Sequence, residues 1–299
     1  MPHCRGLISF LLAFPIFANP SAPAQDGLVK DVGFLSSPLC GGRASGTVGA
    51  SEAARYILRR LEKDGYSPSV QCFTLPADKD GNKGIGRNVI AEIRRPGTSR
   101  WVVLTAFYDG MGEMDGKLFP GADSNASGVA GLLAIADSLG ADSTPSILKG
   151  CNVLLAFLDG NNREMSGAQT FWKKYLSGRN IRTVVDLDII GSSLAPVKPY
   201  HKEFLMVIGA DQHRKTLDAL ASGQGLMLYY QYYMSRDFTE MFYRRMGSRK
   251  VFLEHELPVV WFTSGITMNT NRTTDTAETL DYDQFRRRIA LIVAWLRKI

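Results

Sequence analysis

A chain of 299 residues with 45% apolar content is long enough for one large domain or two modest ones and apolar enough to bury a full core. That composition excludes a low-complexity or collagen-like protein. Beyond the N-terminus no apolar run reaches the roughly 18 residues that a membrane span requires. The formal net charge is +6. Its basic residues are scattered as Arg59-Arg60, Arg94-Arg95, Lys173-Lys174, Arg244-Arg245 and Arg286 to Arg288. They do not gather into one stripe with a recognisable module, so solvated surface is expected and nucleic acid is not an expected partner.

The first residues read as a leader. Arg5 precedes an apolar stretch from Leu7 to Ala18, and Ala22-Pro23-Ala24 supplies an A-x-A cleavage site, so a signal peptide over 1–24 is expected. Pro15 and Pro20 argue against a long anchoring helix. The expectation is an exported protein, periplasmic or extracellular, with residues 25–299 forming a single domain and no membrane span after cleavage. Cys4 leaves with the leader. Cys40, Cys72 and Cys151 remain, so at most one disulfide can close within the chain, and their spacing specifies neither a disulfide framework nor a zinc finger.

Along the chain, helical and strand periods alternate. The stretch "SEAARYILRRLEKDG" (51–65) carries Ala54, Ile57, Leu58 and Leu61 at helical spacing, with Gly65 as its C-terminal stop. Strands follow at "NVIAEIRR" and "WVVLTAFYD", divided by the turn "PGTS". The turn "GADSNASG" (121–128) opens a helix with Val129, Leu132, Leu133, Ala136 and Leu139 on one face, ending at Gly140. Then come the strand "NVLLAFLDG", the helix "GAQTFWKKYL" and the strand "TVVDLDIIG". The strand "EFLMVIGA", the helix "DQHRKTLDALAS", the strand "LPVVWFTSG" and an amphipathic helix "LDYDQFRRRIALIVAWLRK" close the chain. Apolar strands alternating with helices imply an α/β fold, a mainly parallel mixed sheet covered on both faces as a three-layer αβα sandwich. In such sheets working groups sit at the carboxyl ends of strands. Those ends, at 107–110, 157–160, 187–191 and 262–265, suggest one crevice.

Several ungapped blocks resemble the M28 family of zinc aminopeptidases. They are "LSSPLCGGRASGTVGASEAARYILRRLEKDGYSP", "RNVIAEI", "WVVLTAFYDG", "GADSNASGVAGLLAIADSL", "FLDGNNREMSGAQTF", "DLDIIG" and "FTSGITMNTNRTTDTAETLDY", and they run in family order over nearly the whole mature chain. The resemblance implies two zinc ions held by two His, two Asp and one Glu, with a second Glu as general base. Carried over by position, the first His falls on Phe107, the bridging Asp on Ser124, the general base on Asn161, the adjacent Glu ligand on Asn162 and the last His on Asn271. Only Asp188 keeps its ligand identity. If each lost ligand costs at least the 10- to 100-fold typical of a supporting residue, four losses remove about 10⁴ to 10⁸ in metal affinity. A lost general base removes roughly another 10²–10⁴ in rate. The related glutaminyl cyclases hold one zinc, with ligands on the same altered positions. Two Asn and one Ser in place of three acids also relieve the repulsion of a carboxylate cage that lacks its cations.

The expectation is therefore an exported M28-like pseudopeptidase, with no cofactor, that acts by binding a peptide, protein or glycan in a degenerate crevice of Phe107, Asp109, Asp123, Ser124, Asn162, Asp188 and Asn271. One competing expectation is an active metallopeptidase, or a hydrolase of altered chemistry built on Asp109, Asp123, Glu164 and Asp188. Another is a passive assembly partner. Without an imidazole at Phe107 to orient, Asp109 reads as a turn residue. Glu164 falls on a family Gly, which argues against a substitute base. His201, His213 and His255 match no ligand position. No G-x-S-x-G elbow supports serine chemistry. The aromatic stretch "LYYQYYMSRDFTEMFYRR" (228–245) reads first as a half-buried strand and helix, and second as the wall of a ligand groove.

Overall fold

The computed structural model describes residues 22–78, 81, 83–140 and 146–299, so the expected leader lies, up to residue 21, outside the described residues. In chain order the elements are α1 (Ala22–Leu35), α2 (Val48–Lys63), β1 (Ser69–Thr74), β2 (Ile85–Ile93), β3 (Arg100–Phe107), β4 (Gly112–Met114), β5 (Lys117–Phe119), α3 (Ser127–Gly140) and β6 (Asn152–Leu158). They continue with α4 (Ser166–Phe171), β7 (Asn180–Leu187), β8 (Phe204–Ile208), α5 (Arg214–Gly223), β9 (Met227–Tyr229), α6 (Arg236–Arg244), α7 (Arg249–Glu254), β10 (Val259–Thr263) and α8 (Tyr282–Leu296).

Eight strands form one sheet in the order β1-β2-β6-β3-β7-β10-β8-β9. The pairs β3/β6, β3/β7, β7/β10 and β8/β9 are parallel, whereas β1/β2, β2/β6 and β8/β10 are antiparallel. The sheet is mixed, and its parallel centre is buried on both faces. Along β3, Val102, Leu104 and Ala106 pack on one side with residues of α1, α2, α3, α5 and α8. Trp101, Val103 and Phe107 pack on the other with residues of α4, α6 and α7. The period of two in β3 thus feeds two cores at once, which explains its uninterrupted apolar run.

Most expected elements form. Gly65 ends α2 at φ +84°, and its N–H and that of Tyr66 bond back to the carbonyls of Glu62 and Leu61 (both 3.0 Å). The turn "PGTS" joins no hairpin, because β6 inserts between β2 and β3. The helix expected at 167–176 stays α-helical only to Phe171 and finishes in a wider π-type turn over Trp172–Leu176. The strand β1, the β4/β5 hairpin and α7 carry too little period in the sequence to be expected. Cys40, Cys72 and Cys151 are all free thiols. Among the described residues no helix is long and apolar enough to cross a membrane.

The expectation of a solvated basic surface needs correction at two places. Arg60 joins Asp31, Asp64 and Asp137 at 3.0–3.1 Å across α1, α2 and α3. Arg288 of α8 is fully buried and donates to the carbonyls of Phe204 (3.0 Å), Ile190 (3.0 Å) and Ser192 (2.8 Å). The sheet connections leave carbonyls inside the protein, and only a multidentate donor can satisfy several of them together.

Arg43, also fully buried, serves the opposite flank, donating to the carbonyls of Tyr108 (2.8 Å), Pro120 (2.7 Å), Gly121 (2.8 Å) and Leu35. Arg43→Met keeps the bulk and strands these acceptors, each orphan costing about 1–3 kcal/mol. A loss of about 3 kcal/mol or more in urea unfolding is expected; a loss below about 1 kcal/mol would show that the loops find other donors.

Candidate functional site

Because β3, β6, β7 and β10 run parallel to one another through shared neighbours, their carboxyl ends lie on one edge of the sheet. The loops that leave them enclose a cavity of about 150 Å³. Phe107, Ser124, Asn161, Asn162, Asp188 and Asn271 all line it. Asp109 and Asp123 do not; both are buried and accept backbone N–H groups.

The turn at 121–128 shows how. Gly121 has φ +61°, and a Cβ there would meet the Ser124 carbonyl at 2.6 Å, so only glycine fits. The Asp123 carboxylate accepts the N–H of Gly191 (2.8 Å), the N–H of Ser192 (3.1 Å) and the hydroxyl of Ser127 (2.8 Å). Asn125 donates to the carbonyls of Phe107 (3.2 Å) and Leu187 (3.0 Å) and accepts the N–H of Ile189 (2.9 Å) and of Gly128 (3.1 Å). It thereby ties the ends of β3 and β7 to the start of α3. Asp275 accepts the N–H groups of Asp123 (2.8 Å) and Ser124 (3.1 Å). Ser124 is different. Its buried Oγ lies near the Asp275 carboxylate without the geometry of a hydrogen bond.

On the next loop, the Asp109 carboxylate accepts the N–H groups of Asn161 and Asn162 (both 2.9 Å), and Asn161 Oδ1 accepts the Ser248 hydroxyl at 3.1 Å. Burial, reinforced by the nearby Asp159 charge, pushes the Asp109 carboxyl up to about 7. Burial likewise raises Asp123 and Asp186 to about 6.

Asp188 faces a cation, and sequence analysis missed it. Arg249, at the start of α7, is 2% exposed. Its Nη1 donates to Asp188 Oδ2 at 2.6 Å and to Asp186 Oδ2 at 3.3 Å. Its Nε and Nη2 donate to the Phe242 carbonyl at 3.1 and 2.6 Å. The guanidinium lies 3.7 Å from the centroid of the Trp261 ring, a stacked arrangement suited to a desolvated arginine. Only its position beside an apolar run, "RKVFLEHELPVVWF", distinguished this arginine from the surface pairs.

The aromatic stretch at 228–245 divides. Tyr232 and Phe242 line the cavity, with Tyr232 stacked 5.2 Å from Trp261. Tyr229 and Tyr243 are core, and Phe238 is exposed. His255 stacks on Trp172 at 3.4 Å, His213 meets Trp295 edge-on, and His201 is exposed. Glu164 is exposed and does not line the cavity. Among the described residues no three His, Cys, Asp or Glu side chains converge as a metal-holding group.

Residues 88–296 match the family model of peptidase family M28. Among solved structures the chain is similar to a glutaminyl cyclase of Porphyromonas gingivalis, at 19% identity and a TM-score of 0.69, covering 92% of this chain and 98% of that one. It is similar to a zinc aminopeptidase of Bacillus subtilis at 12% identity and a TM-score of 0.71, covering 92% and 95%. A Zn-dependent exopeptidase of Parabacteroides distasonis matches at 18% identity and a TM-score of 0.65, covering 91% and 97%. At these identities the structural likeness shows the fold alone. No curated protein matches the sequence.

The raised carboxyl of Asp109 gives a signed pH prediction. Its folded-state pKa of about 7 exceeds the unfolded value of about 3.9, so between pH 4 and 7 the folded state binds the proton more tightly. That contribution is present in full below pH 4 and lost as the pH rises through 7. Urea unfolding at pH 5 and pH 7.5 should show wild type losing more stability with rising pH than Asp109→Asn does, by about 1–3 kcal/mol. Equal losses would mean that Asp109 is ionised throughout.

Proposed function

The chain belongs to peptidase family M28, and from that premise we propose that it is a catalytically inactive member, exported from the cytoplasm, that binds a peptide or similar neutral ligand in the crevice. The observation that carries this reading is the state of Asp188. Among the described residues it is the one carboxylate lining the cavity, and it is paired at 2.6 Å with a buried arginine.

The donor set does not fit the family's zinc pair. At the positions where the resemblance expects imidazoles and acids, the cavity offers an aromatic ring, a hydroxyl and three amides. Zinc binds thiolate, imidazole and carboxylate, and neutral amide oxygens suit harder, oxygen-loving cations in larger cages. No metal-bound water is therefore assigned, and no reaction step is derived through one.

A binding role draws support from the walls. Phe107, Tyr232, Phe242 and Trp261 supply apolar faces, while Ser124, Asn161, Asn162 and Asn271 supply uncharged donors and acceptors, the mixture typical of small-ligand sites. Met246 and Ile266 at the lining are themselves 46% and 40% exposed, and nearby in the chain Met268 is 86% exposed. Flexible apolar side chains of this kind suit a peptide or protein ligand at the mouth. The alternative of altered hydrolase chemistry finds its four carboxylates occupied or dispersed: Asp109 and Asp123 cap backbone, Asp188 is ion-paired and Glu164 is outside.

Two measurements test the proposal together. Protein purified without chelator should carry well under one zinc per chain and should cleave no aminoacyl reporter, with or without added zinc or cobalt. A chelator-sensitive aminopeptidase with stoichiometric zinc would refute it. Thermal-shift screening against peptides and glycans should find a class that raises the melting point by roughly 5–10 °C at 100 times its dissociation constant. A flat response across peptides and glycans would instead support the passive assembly partner.

A further inference from the structure

We propose that Arg249 is the crevice's built-in cation, replacing with a tethered guanidinium the positive charge that a carboxylate pair at the end of β7 requires. This goes beyond the loss of metal ligands, and it rests on the metal-free reading of the crevice.

Three observations carry it. Asp186 and Asp188 lie on the same stretch of β7 and the residue beyond it, both buried, and both accept from the same nitrogen, Arg249 Nη1. Two ionised carboxylates in a low-dielectric site repel each other and pay desolvation unless a cation joins them. The guanidinium is also held in a shaped cradle. Trp261 lies against one face, the Phe242 carbonyl takes Nε and Nη2, and Gly247, at φ +69°, leaves open the space where a Cβ would come within 2.9 Å of Nη1. Finally, Asp186 has a second tie, accepting the Thr105 hydroxyl at 2.8 Å, whereas for Asp188 the arginine is the side-chain partner that the geometry gives. The one carboxylate that the resemblance assigns to metal is therefore spoken for, and a divalent ion would have to expel a stacked, five-donor cation to reach it.

The consequence is a site whose charge is balanced before any ligand arrives. Such a site favours uncharged hydrogen-bonding groups, amides and hydroxyls, over a free carboxylate or an ammonium ion, either of which would unbalance it.

The experiment uses the full chain as wild type, Arg249→Met, Asp188→Asn and the Asp188→Asn/Arg249→Met double variant, with thermal midpoints measured in EDTA and in millimolar zinc. Arg249→Met should lower the midpoint by roughly 10 °C, because an uncompensated buried charge remains. The double variant should regain at least half of that loss, and zinc should raise the midpoint of Arg249→Met while leaving wild type unmoved. If Arg249→Met is insoluble, recovery of folded double variant gives the same support. A midpoint for Arg249→Met within about 2 °C of wild type, a double variant no better than Arg249→Met, or the same zinc response in wild type and Arg249→Met would overturn the proposal. Failure of the double variant to recover, with wild type still free of zinc and inactive, sinks only the role of Arg249. Stoichiometric zinc with peptidase activity in wild type sinks the metal-free reading as well.

Discussion

Where parallel strands end inside a protein, their last amides and carbonyls lose the ladder that satisfied them, and burial makes each orphan expensive. This constraint organises the crevice edge. Asn125 answers it for β3 and β7 at once, giving both ends of its amide to backbone groups of Phe107, Leu187, Ile189 and Gly128. Asp123 and Asp275 answer it for the loops after β7 and before α3, Asp109 for the loop after β6, and Arg43 and Arg288 for the carbonyls left between. The ladder fixes the four strand ends, and this set fixes the loops that leave them.

Acids used as backbone caps bring a second problem, because each is a buried charge. The molecule meets it in two ways. Burial holds several carboxyls high in pKa, Asp109, Asp123 and Asp186 among them, so that protonation relieves part of the cost. Arginine also matches some of them: Arg249 joins Asp186 and Asp188, and Arg60 joins Asp31. The same logic explains why the turn at 121–128 persists with a serine at its centre. Asp123, Asn125 and Ser127 in that turn all bond main chain through their side chains, whereas the Ser124 hydroxyl makes no such bond. On the proposed metal-free reading, the fold constrains these side chains and leaves position 124 free to carry a neutral group.

The alternation of apolar runs was enough to read the layered α/β architecture, and the glycine after α2 and the strand ends around one crevice could be read residue by residue. What escaped reading escaped for physical reasons. The strand β1 buries Gln71 and exposes Val70 at a sheet edge, so its polarity does not follow its burial, and α7 spans six residues, too short for a helical period to register. The insertion of β6 between β2 and β3 is a long-range pairing with no local signature. Arg249 is the sharpest case: its partners lie 61 and 63 residues away, and in sequence it sits in "GSRKVF" beside a lysine, like any surface pair. Ionic partnerships of this range are set by topology, so no window along the chain contains both members.

On the reading proposed for the crevice, the fold outlasts a metal site. A two-zinc centre contributes positive charge as well as coordination, and its removal leaves acids in a dry pocket. Exchanging ligands one at a time for amides lowers that repulsion, but a carboxylate kept at the end of a central strand still needs a counter-charge. An arginine supplied from the neighbouring helix, stacked on Trp261 and braced by the Phe242 carbonyl, meets the need with a group that cannot dissociate. On that reading stability does not depend on the supply of an ion, and the cavity walls are free to vary toward a ligand. Under the proposed metal-free reading the cation, rather than the absent imidazoles, is the decisive feature: asparagines and a phenylalanine weaken a metal site, whereas a buried guanidinium on its one carboxylate closes it.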